Sequence, residues 1–353
     1  MKHVFGPVPS RRLGRSLGVD PVPLKTCNYS CVYCQLGRTR PLTSKRKAFF
    51  GVSAMFAEIA TALDHQKSDS IDWITFVGSG ETTLFSRLGS LIRFVKSIAD
   101  VPVAVITNGS LLHLPEVRDE LAVADAVLTS LDAGTEALHN RINRPHPDFT
   151  FDRCTKGLIE FRHEYDGRLW IEVMLLGGIN ESPRALGDIA SILESVEPDG
   201  IHVSTPSRPP AEPWVEIPGR DVLQRAEAIF GGIARVLQPI TVEVGNHVEE
   251  ELADAILTVV SRHPMQEIEI VQTLAHWAPG QVHDALTNLA FQAKIKVIER
   301  YGKRFWCSTA TLFPDQRTVA RPRRMFTSRF DASDYFGLSD RQRGEDSKNR
   351  HRS

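Results

Sequence analysis

Long apolar runs are absent from this 353-residue chain. No uninterrupted apolar segment reaches the roughly 20 residues that a membrane span needs, and no basic stretch leading into an apolar run opens the sequence. A cytoplasmic protein without membrane contact is the expectation. Cysteine is scarce as well. There are five, an odd number, which argues against a disulfide-built scaffold; without a secretion signal, metal or catalytic roles outrank pairing. Acid is missing from the N-terminal stretch. Before Phe50, Lys2, Arg11, Arg12, Arg15, Lys25, Arg38, Arg40, Lys45, Arg46 and Lys47 face the single acid Asp20, although the net charge of the whole chain is only −1. Such a surplus fits a polyanionic partner or ligand, or else salt bridges to acids elsewhere in the fold.

What is present is an alternation of short β-rich runs with amphipathic helical stretches from Arg15 to Gly245. The expected strands are SLGVDPV from Ser16, WITFVG from Trp73, VAVITN from Val103, AVLTSL from Ala126, LWIEVML from Leu169 and GIHVST from Gly200. Stretches such as VSAMFAEIATALDHQ from Val52 and SPRALGDIASILESV from Ser182 carry apolar residues at helical spacing. Six strand–helix repeats predict an α/β fold, a partial parallel (β/α)6 barrel over residues 1–246, with functional residues gathered where strands end. The pattern then changes. Three helical stretches and the hairpin KIKVIERYGKRFWCST fall within about sixty residues, the winged-helix variant of the helix-turn-helix, placed at 247–312. Residues 313–353 are rich in Arg, Asp, Ser and Gly and are expected to be a disordered tail.

Cys27, Cys31 and Cys34 crowd into KTCNYSCVYCQLG, Lys25 to Gly37, right after the first expected strand. Closely spaced cysteine thiolates hold iron–sulfur clusters, and three of them leave one iron of a four-iron cube open, as a catalytic metal requires. Structural zinc is the competing metal, but no His or Cys stands at finger-like spacing to supply a fourth ligand. Cys154 and Cys307 are isolated and read as core residues.

A Cys-x3-Cys-x2-Cys loop after the first strand of a βα barrel, with aromatic Tyr33 before the third cysteine, resembles the signature of radical S-adenosylmethionine (SAM) enzymes. The resemblance implies a [4Fe-4S] cluster on Cys27, Cys31 and Cys34, whose open iron chelates SAM. One electron from the cluster then cleaves the sulfonium to a 5′-deoxyadenosyl radical that abstracts hydrogen. It also implies cofactor-binding positions. Gly78, Ser79, Gly80 and Glu81 are similar to the family's Gly-Gly-Glu loop, although Gly-Ser-Gly leaves open which backbone group meets the methionine ammonium. Asn108, Ser130 and Asp132 end the third and fourth strands, where the family places polar groups on the SAM carboxylate and ribose; capping of the next helix is the plainer reading. Tyr33 would lie near the adenine, or simply pack the loop.

A narrower resemblance, carried by FGPVPSRRLGRSLGVDPVPLKTCNYSCVYCQLGRT, FVGSGETTL and STPSRPPAE, is to a branch related to the enzyme that builds the tricyclic wyosine base of tRNA. That enzyme holds a second cluster on its own cysteines and pyruvate on a lysine. Here no second cysteine group exists, and Lys25 is the only candidate lysine near the loop. These departures separate the substrate from the wyosine enzyme's own, but the relatives and the basic N-terminal segment make a tRNA base the first expected substrate, with a peptide or small metabolite next. A redox-sensing winged-helix regulator without turnover is the reading from another class. Arg208, at the end of the sixth strand, is the expected substrate-binding arginine, since its planar fork matches phosphate or carboxylate. The expected partners are a flavodoxin- or ferredoxin-like one-electron reductant and an RNA or protein met through the basic N-terminal segment or the winged helix. The stretch from Ala278 to Gln292, its recognition helix, contains no Lys or Arg, so packing against the barrel is favoured over nucleic-acid reading.

Overall fold

The computed structural model describes residues 3–65, 71–237, 252–274 and 277–314. Both the expected domain boundary at 246 and all but the first two residues of the expected tail lie outside them.

Among the described residues, eight strands are hydrogen-bonded in chain order: β1 (Val4–Ser10), β2 (Gly14–Val19), β3 (Trp73–Phe76), β4 (Val103–Thr107), β5 (Ala126–Ser130), β6 (Arg168–Met174), β7 (Gly200–Ser204) and β8 (Ala234–Val236). β1 runs antiparallel to β2, and every pairing from β2 to β8 is parallel. Parallel neighbours need crossovers, and α1 (Val52–Asp64), α2 (Leu88–Ile98), α3 (Pro115–Leu121), α4 (Glu136–Ile142), α5 (Phe151–Glu164), α6 (Pro183–Val196) and α7 (Arg220–Phe230) supply them. The central strands are covered and almost wholly apolar, as in β5, where Ala126, Val127 and Leu128 are buried. Each helix lays one stripe on the sheet. α2 buries Leu88, Leu91, Ile92 and Val95, the i, i+3, i+4, i+7 spacing, and each such side chain contributes about 1.5–3 kcal/mol on leaving water. Thr135, Thr150 and Ser182 cap α4, α5 and α6 by accepting from a backbone N–H of the first turn.

All six expected strands are present, and two edge strands join them. β1 contains Pro7 and Pro9, which an edge strand tolerates, and its register shifts between Phe5 and Val8. β8 is three residues long, too short to leave a periodic signal.

Beyond residue 251 lie α8 (Leu252–Arg262), α9 (Glu267–Thr273), α10 (Pro279–Phe291), and the antiparallel pair β9 (Ile295–Arg300) and β10 (Lys303–Ser308). Tyr301 and Gly302, at φ 53° and 70°, make the two-residue turn between them. Ile256, Val260, Ile270, Leu286 and Ile295 form a separate small core. Met1–Thr318 is nevertheless one compact unit. The Tyr301 hydroxyl donates to Val215 O (3.1 Å), Gln35 Nε2 donates to Arg262 O (3.2 Å), and Arg38 N–H donates to Leu312 O (2.9 Å). No described helix is long and apolar enough to cross a membrane.

Candidate active site

Because β2 to β8 are parallel, their C-terminal ends share one edge, and the loop after β2 spreads its cysteines there. Cys34 N–H donates to Cys31 O (3.1 Å), folding the last two into a turn, and Lys25 enters the loop in the left-handed region at φ 61°. Each sulfur faces an N–H donor. Tyr29 N–H lies 3.4 Å from Cys27 Sγ, with Asn108 Nδ2 at 3.9 Å; Asn143 Nδ2 is 3.6 Å from Cys31 Sγ; Lys25 Nζ is 3.2 Å from Cys34 Sγ and also donates to Gly37 O (2.7 Å). Burial pushes the Cys27 thiol up to about 12 and the Cys31 thiol up as well, with neighbouring negative groups adding to both. Thiolates there need the positive charge of a bound metal centre.

The loop after β3 crosses directly beneath. Lys25 N–H donates to Ser79 O (2.7 Å) and Glu81 N–H to Thr26 O (2.8 Å). A Cβ on Gly80 would sit 1.9 Å from Thr26 O, so only glycine allows this approach. Asp20 anchors the same loop: its carboxylate accepts from Ser79 N–H (3.1 Å) and from the Ser79 hydroxyl (2.6 Å). Burial raises the Asp20 carboxyl above the usual range, against the pull of Ser79 and Arg262. Glu81 is 2 % exposed, and its carboxylate accepts from Thr83 N–H (2.9 Å), the Thr107 hydroxyl (2.6 Å) and Asn108 N–H (2.7 Å). It ties the end of β3 to the end of β4.

Asn108 belongs to a polar chain, donating from Nδ2 to Asn28 Oδ1 (2.8 Å) and accepting at Oδ1 from the Ser110 hydroxyl (2.6 Å). Asp132 is buried and accepts from the Tyr33 hydroxyl (2.6 Å), Asn143 Nδ2 (2.7 Å) and Met174 N–H (2.9 Å); burial pushes it up to about 6. Tyr33 is thus tethered to Asp132 by its hydroxyl, while its ring packs near Val32, Ile142, Leu176 and Val215. Ser130 is half-buried at the end of β5. Asn108, Ser130 and Asp132 share a cavity of about 30 Å³ with Tyr29, His139 and Cys154, room for a water but not for SAM.

Sequence reading missed Asp20, Asn28 and Asn143 as site residues. Asp20 left a signal, being the only acid before Phe50; Asn28 sits between two of the cysteines; Asn143 left none. Arg208 lies in the loop that follows β7, and its guanidinium pairs with Glu269 of α9. Four of the ten bases of the N-terminal surplus pair with acids from the rest of the fold. Arg12 pairs with Glu172, Arg15 with Asp72 (3.0 Å), Arg38 with Glu212 (2.7 Å) and Arg46 with Glu120.

Residues 22–188 match the radical SAM superfamily. UPF0026 protein MJ1312 of Methanocaldococcus jannaschii is 34 % identical over 310 residues, 87 % of this chain and 96 % of that one. The chain belongs to the UPF0026 family and is a radical SAM enzyme. A longer Brachyspira hyodysenteriae protein named GTPase Obg is 42 % identical over 229 residues, 65 % of this chain and 33 % of its own. Among solved structures, TYW1 with a lysine–pyruvate adduct is similar at a TM-score of 0.41 and 15 % identity, covering 84 % of this chain and 81 % of that chain.

Radical SAM enzymes use a [4Fe-4S] cluster and SAM. Among the described residues no three His, Cys, Asp or Glu side chains converge on one point, as a single bound ion would demand. Three thiols would instead hold a multi-iron cluster, one to an iron. The donor set fits such a cluster: three thiols in one loop, each with an N–H aimed at it, the kind of contact that sets cluster potential. Cys154, the nearest other cysteine, is occupied with the Tyr29 hydroxyl at 3.3 Å.

Proposed function

We propose that this enzyme holds a [4Fe-4S] cluster on Cys27, Cys31 and Cys34, binds SAM against the Gly78–Glu81 loop, and acts on a base of RNA. One observation carries the cluster assignment: the three sulfurs at the C-terminal edge of the parallel strands each face a separate N–H donor, from Tyr29 and Asn108, from Asn143 and from Lys25. When bound, the cluster and SAM supply one-electron cleavage of the sulfonium and a 5′-deoxyadenosyl radical for hydrogen abstraction. The chain's own residues do the positioning. Asp20 and Gly80 hold the glycine loop against the cysteine loop, Glu81 fixes Asn108, and Asp132 orients Tyr33 and Asn143. Arg12, in the turn between β1 and β2, pairs with Glu172 of β6, both side chains being mostly buried.

The RNA reading is supported by the resemblance of the N-terminal motifs to the wyosine-type branch and by Arg40, exposed beside the cysteine loop without an ion pair to a described residue. A peptide or small metabolite is the competing substrate. A flavodoxin- or ferredoxin-like protein would deliver the electron. The sheet is read as a partial barrel and α8 to β10 as a winged-helix-like module. The absence of Lys and Arg from α10 and the contacts from Arg262, Glu269 and Tyr301 to the sheet side support a packing role for the latter.

Anaerobic reconstitution with iron and sulfide, then SAM and dithionite, tests the reading by assay of 5′-deoxyadenosine. The wild type yields it, and Cys31→Ala loses both the cluster absorbance and the product while keeping the wild-type circular dichroism. A Cys31→Ala protein that retained cluster and cleavage would refute the ligand assignment.

A further inference from the structure

An open cavity of about 540 Å³ lies beside the cysteine loop, lined by Ser30, Arg38, Thr39, Arg40, Arg144 and their neighbours. Its charge does not balance. Arg38 binds Glu212 through Nε and Nη2 (2.7 and 2.8 Å), and Arg144 binds the same carboxylate (2.5 Å), so one buried acid serves two guanidinium groups. These contacts hold the Glu212 carboxyl below the usual range, so it stays ionised. Arg40 is exposed and makes no ion pair with a described residue. Among the described residues the rim thus sets three guanidinium groups, those of Arg38, Arg40 and Arg144, against the single Glu212 carboxylate.

A second observation points to what the cavity takes. Thr39 is 3 % exposed, yet its hydroxyl has no hydrogen-bond partner among the described residues, and it lines the cavity. A buried hydroxyl without a partner is costly unless a ligand or water uses it. Ser30 beside it accepts from Thr39 N–H (3.1 Å) and so keeps its own proton to donate. The exposed fork of Arg40, and the Arg144 N–H groups not turned to Glu212, stand beside these hydroxyls and match the oxygens of a phosphoryl group. The third observation is Trp214, 44 % exposed, with the Arg144 guanidinium 6.0 Å from its ring centre. An exposed indole beside a cationic groove is the platform on which nucleic-acid bases stack.

We propose that the arginine-lined cavity beside the cysteine loop binds a backbone phosphate of single-stranded RNA, with an adjoining base stacked on Trp214. The proposal rests on the RNA reading above and places the strand within reach of the site, since Ser30 directly precedes Cys31 and Arg38 directly follows Gly37. An acidic peptide would satisfy the arginines but would leave the indole face without a planar partner, so RNA is the occupant the surface favours.

The test is fluorescence anisotropy of the full reduced chain with labelled bulk tRNA across a salt series. Arg40 and Trp214 are exposed, so their replacement leaves the core untouched. Arg40→Ala should lower the slope of log K against log salt by about 0.7, one single-strand phosphate contact. Trp214→Ala should weaken binding roughly tenfold at every salt concentration without changing the slope. Arg168→Ala, exposed at the opposite end of the sheet, should change neither. Wild-type binding by both Arg40→Ala and Trp214→Ala overturns this surface and leaves the RNA reading standing. No binding of tRNA by the wild type overturns both. Displacement of tRNA by polyglutamate as readily as by unlabelled RNA of equal charge would assign the cavity to an acidic peptide instead.

Discussion

Replacing Glu81 by glutamine separates a carboxylate that holds loops from one that touches cofactor. In the structure its Oε1 accepts from Thr83 N–H (2.9 Å), the Thr83 hydroxyl (2.5 Å) and the Thr107 hydroxyl (2.6 Å), and its Oε2 accepts from Asn108 N–H (2.7 Å). Glutamine keeps the shape but has one acceptor oxygen. Whichever way it turns, its NH2 faces a backbone N–H, that of Thr83 or that of Asn108. The threonine hydroxyls can rotate to accept, but the backbone N–H cannot. One charge-assisted bond is lost to a buried donor, and Glu81→Gln should cost about 2–3 kcal/mol. Glu81→Ala strands both backbone donors and should cost about 4 kcal/mol. The assay is the urea midpoint of the reduced, metal-free chain, converted with its measured slope. SAM affinity of the reconstituted enzyme should fall in step, because Asn108 loses its anchor. Wild-type stability in Glu81→Gln together with lost SAM binding would refute the reasoning, since the carboxylate would then be acting on the cofactor directly.

Gly80→Ala should displace the glycine loop, because its Cβ would meet Thr26 O at 1.9 Å; SAM binding is expected to weaken at least tenfold while the three cysteines still take up iron, and unchanged SAM affinity would show that the two loops can part freely. His139 is buried and its pKa is pushed down to about 4, so the unfolded chain takes a proton near pH 6.5 that the folded chain refuses. Stability should therefore fall as pH drops from about 6.5 to 4, by up to about 3 kcal/mol from this residue. His263, also pushed down to about 4, and His113 and His202, lowered by burial, act in the same direction, so His139→Gln should reduce but not abolish the slope of the denaturation midpoint against pH. An unchanged slope would show that His139 takes its proton in the folded state as readily as in the unfolded one.

The sheet was legible because its central strands are runs of Val, Ile, Leu and Thr bounded by turn residues, and the helices because their apolar residues recur at i, i+3 and i+4. β1 was not, since its prolines hide an edge strand that needs no N–H at those positions. The cysteine loop was legible by spacing alone. What surrounds it was not. Asn143 follows α4, 112 residues after Cys31, and no local pattern announces a donor to a distant sulfur. Arg208 shows the same limit from the other side. Its place after the strand was foreseen, while its partner Glu269 comes from a helix 61 residues later whose docking periodicity cannot disclose. Glu81 was recognised as part of a motif, yet only the structure reveals that Thr83, Thr107 and Asn108 occupy its carboxylate.

Asp20 gives the C-terminal helices a part in the site. It ends β2, pins Ser79 and is 5 % exposed, so an ionised carboxylate there needs a counter-charge or must take up a proton. Arg262, the last residue of α8, brings its Nε to 3.6 Å from Asp20 Oδ2 and lies over the Phe5 ring at 4.7 Å. The next residue, His263, receives Gln35 Nε2 at Nδ1 (2.9 Å), one position after Cys34. Two consecutive residues at the end of α8 thus reach the anchor of the glycine loop and the exit of the cysteine loop. Packing is therefore an incomplete account of α8 to β10. Removing them would strip a buried carboxylate of its cation just where the SAM loop is tied down. Deleting α8 to β10 is therefore expected to lower the yield of 5′-deoxyadenosine from the reconstituted enzyme.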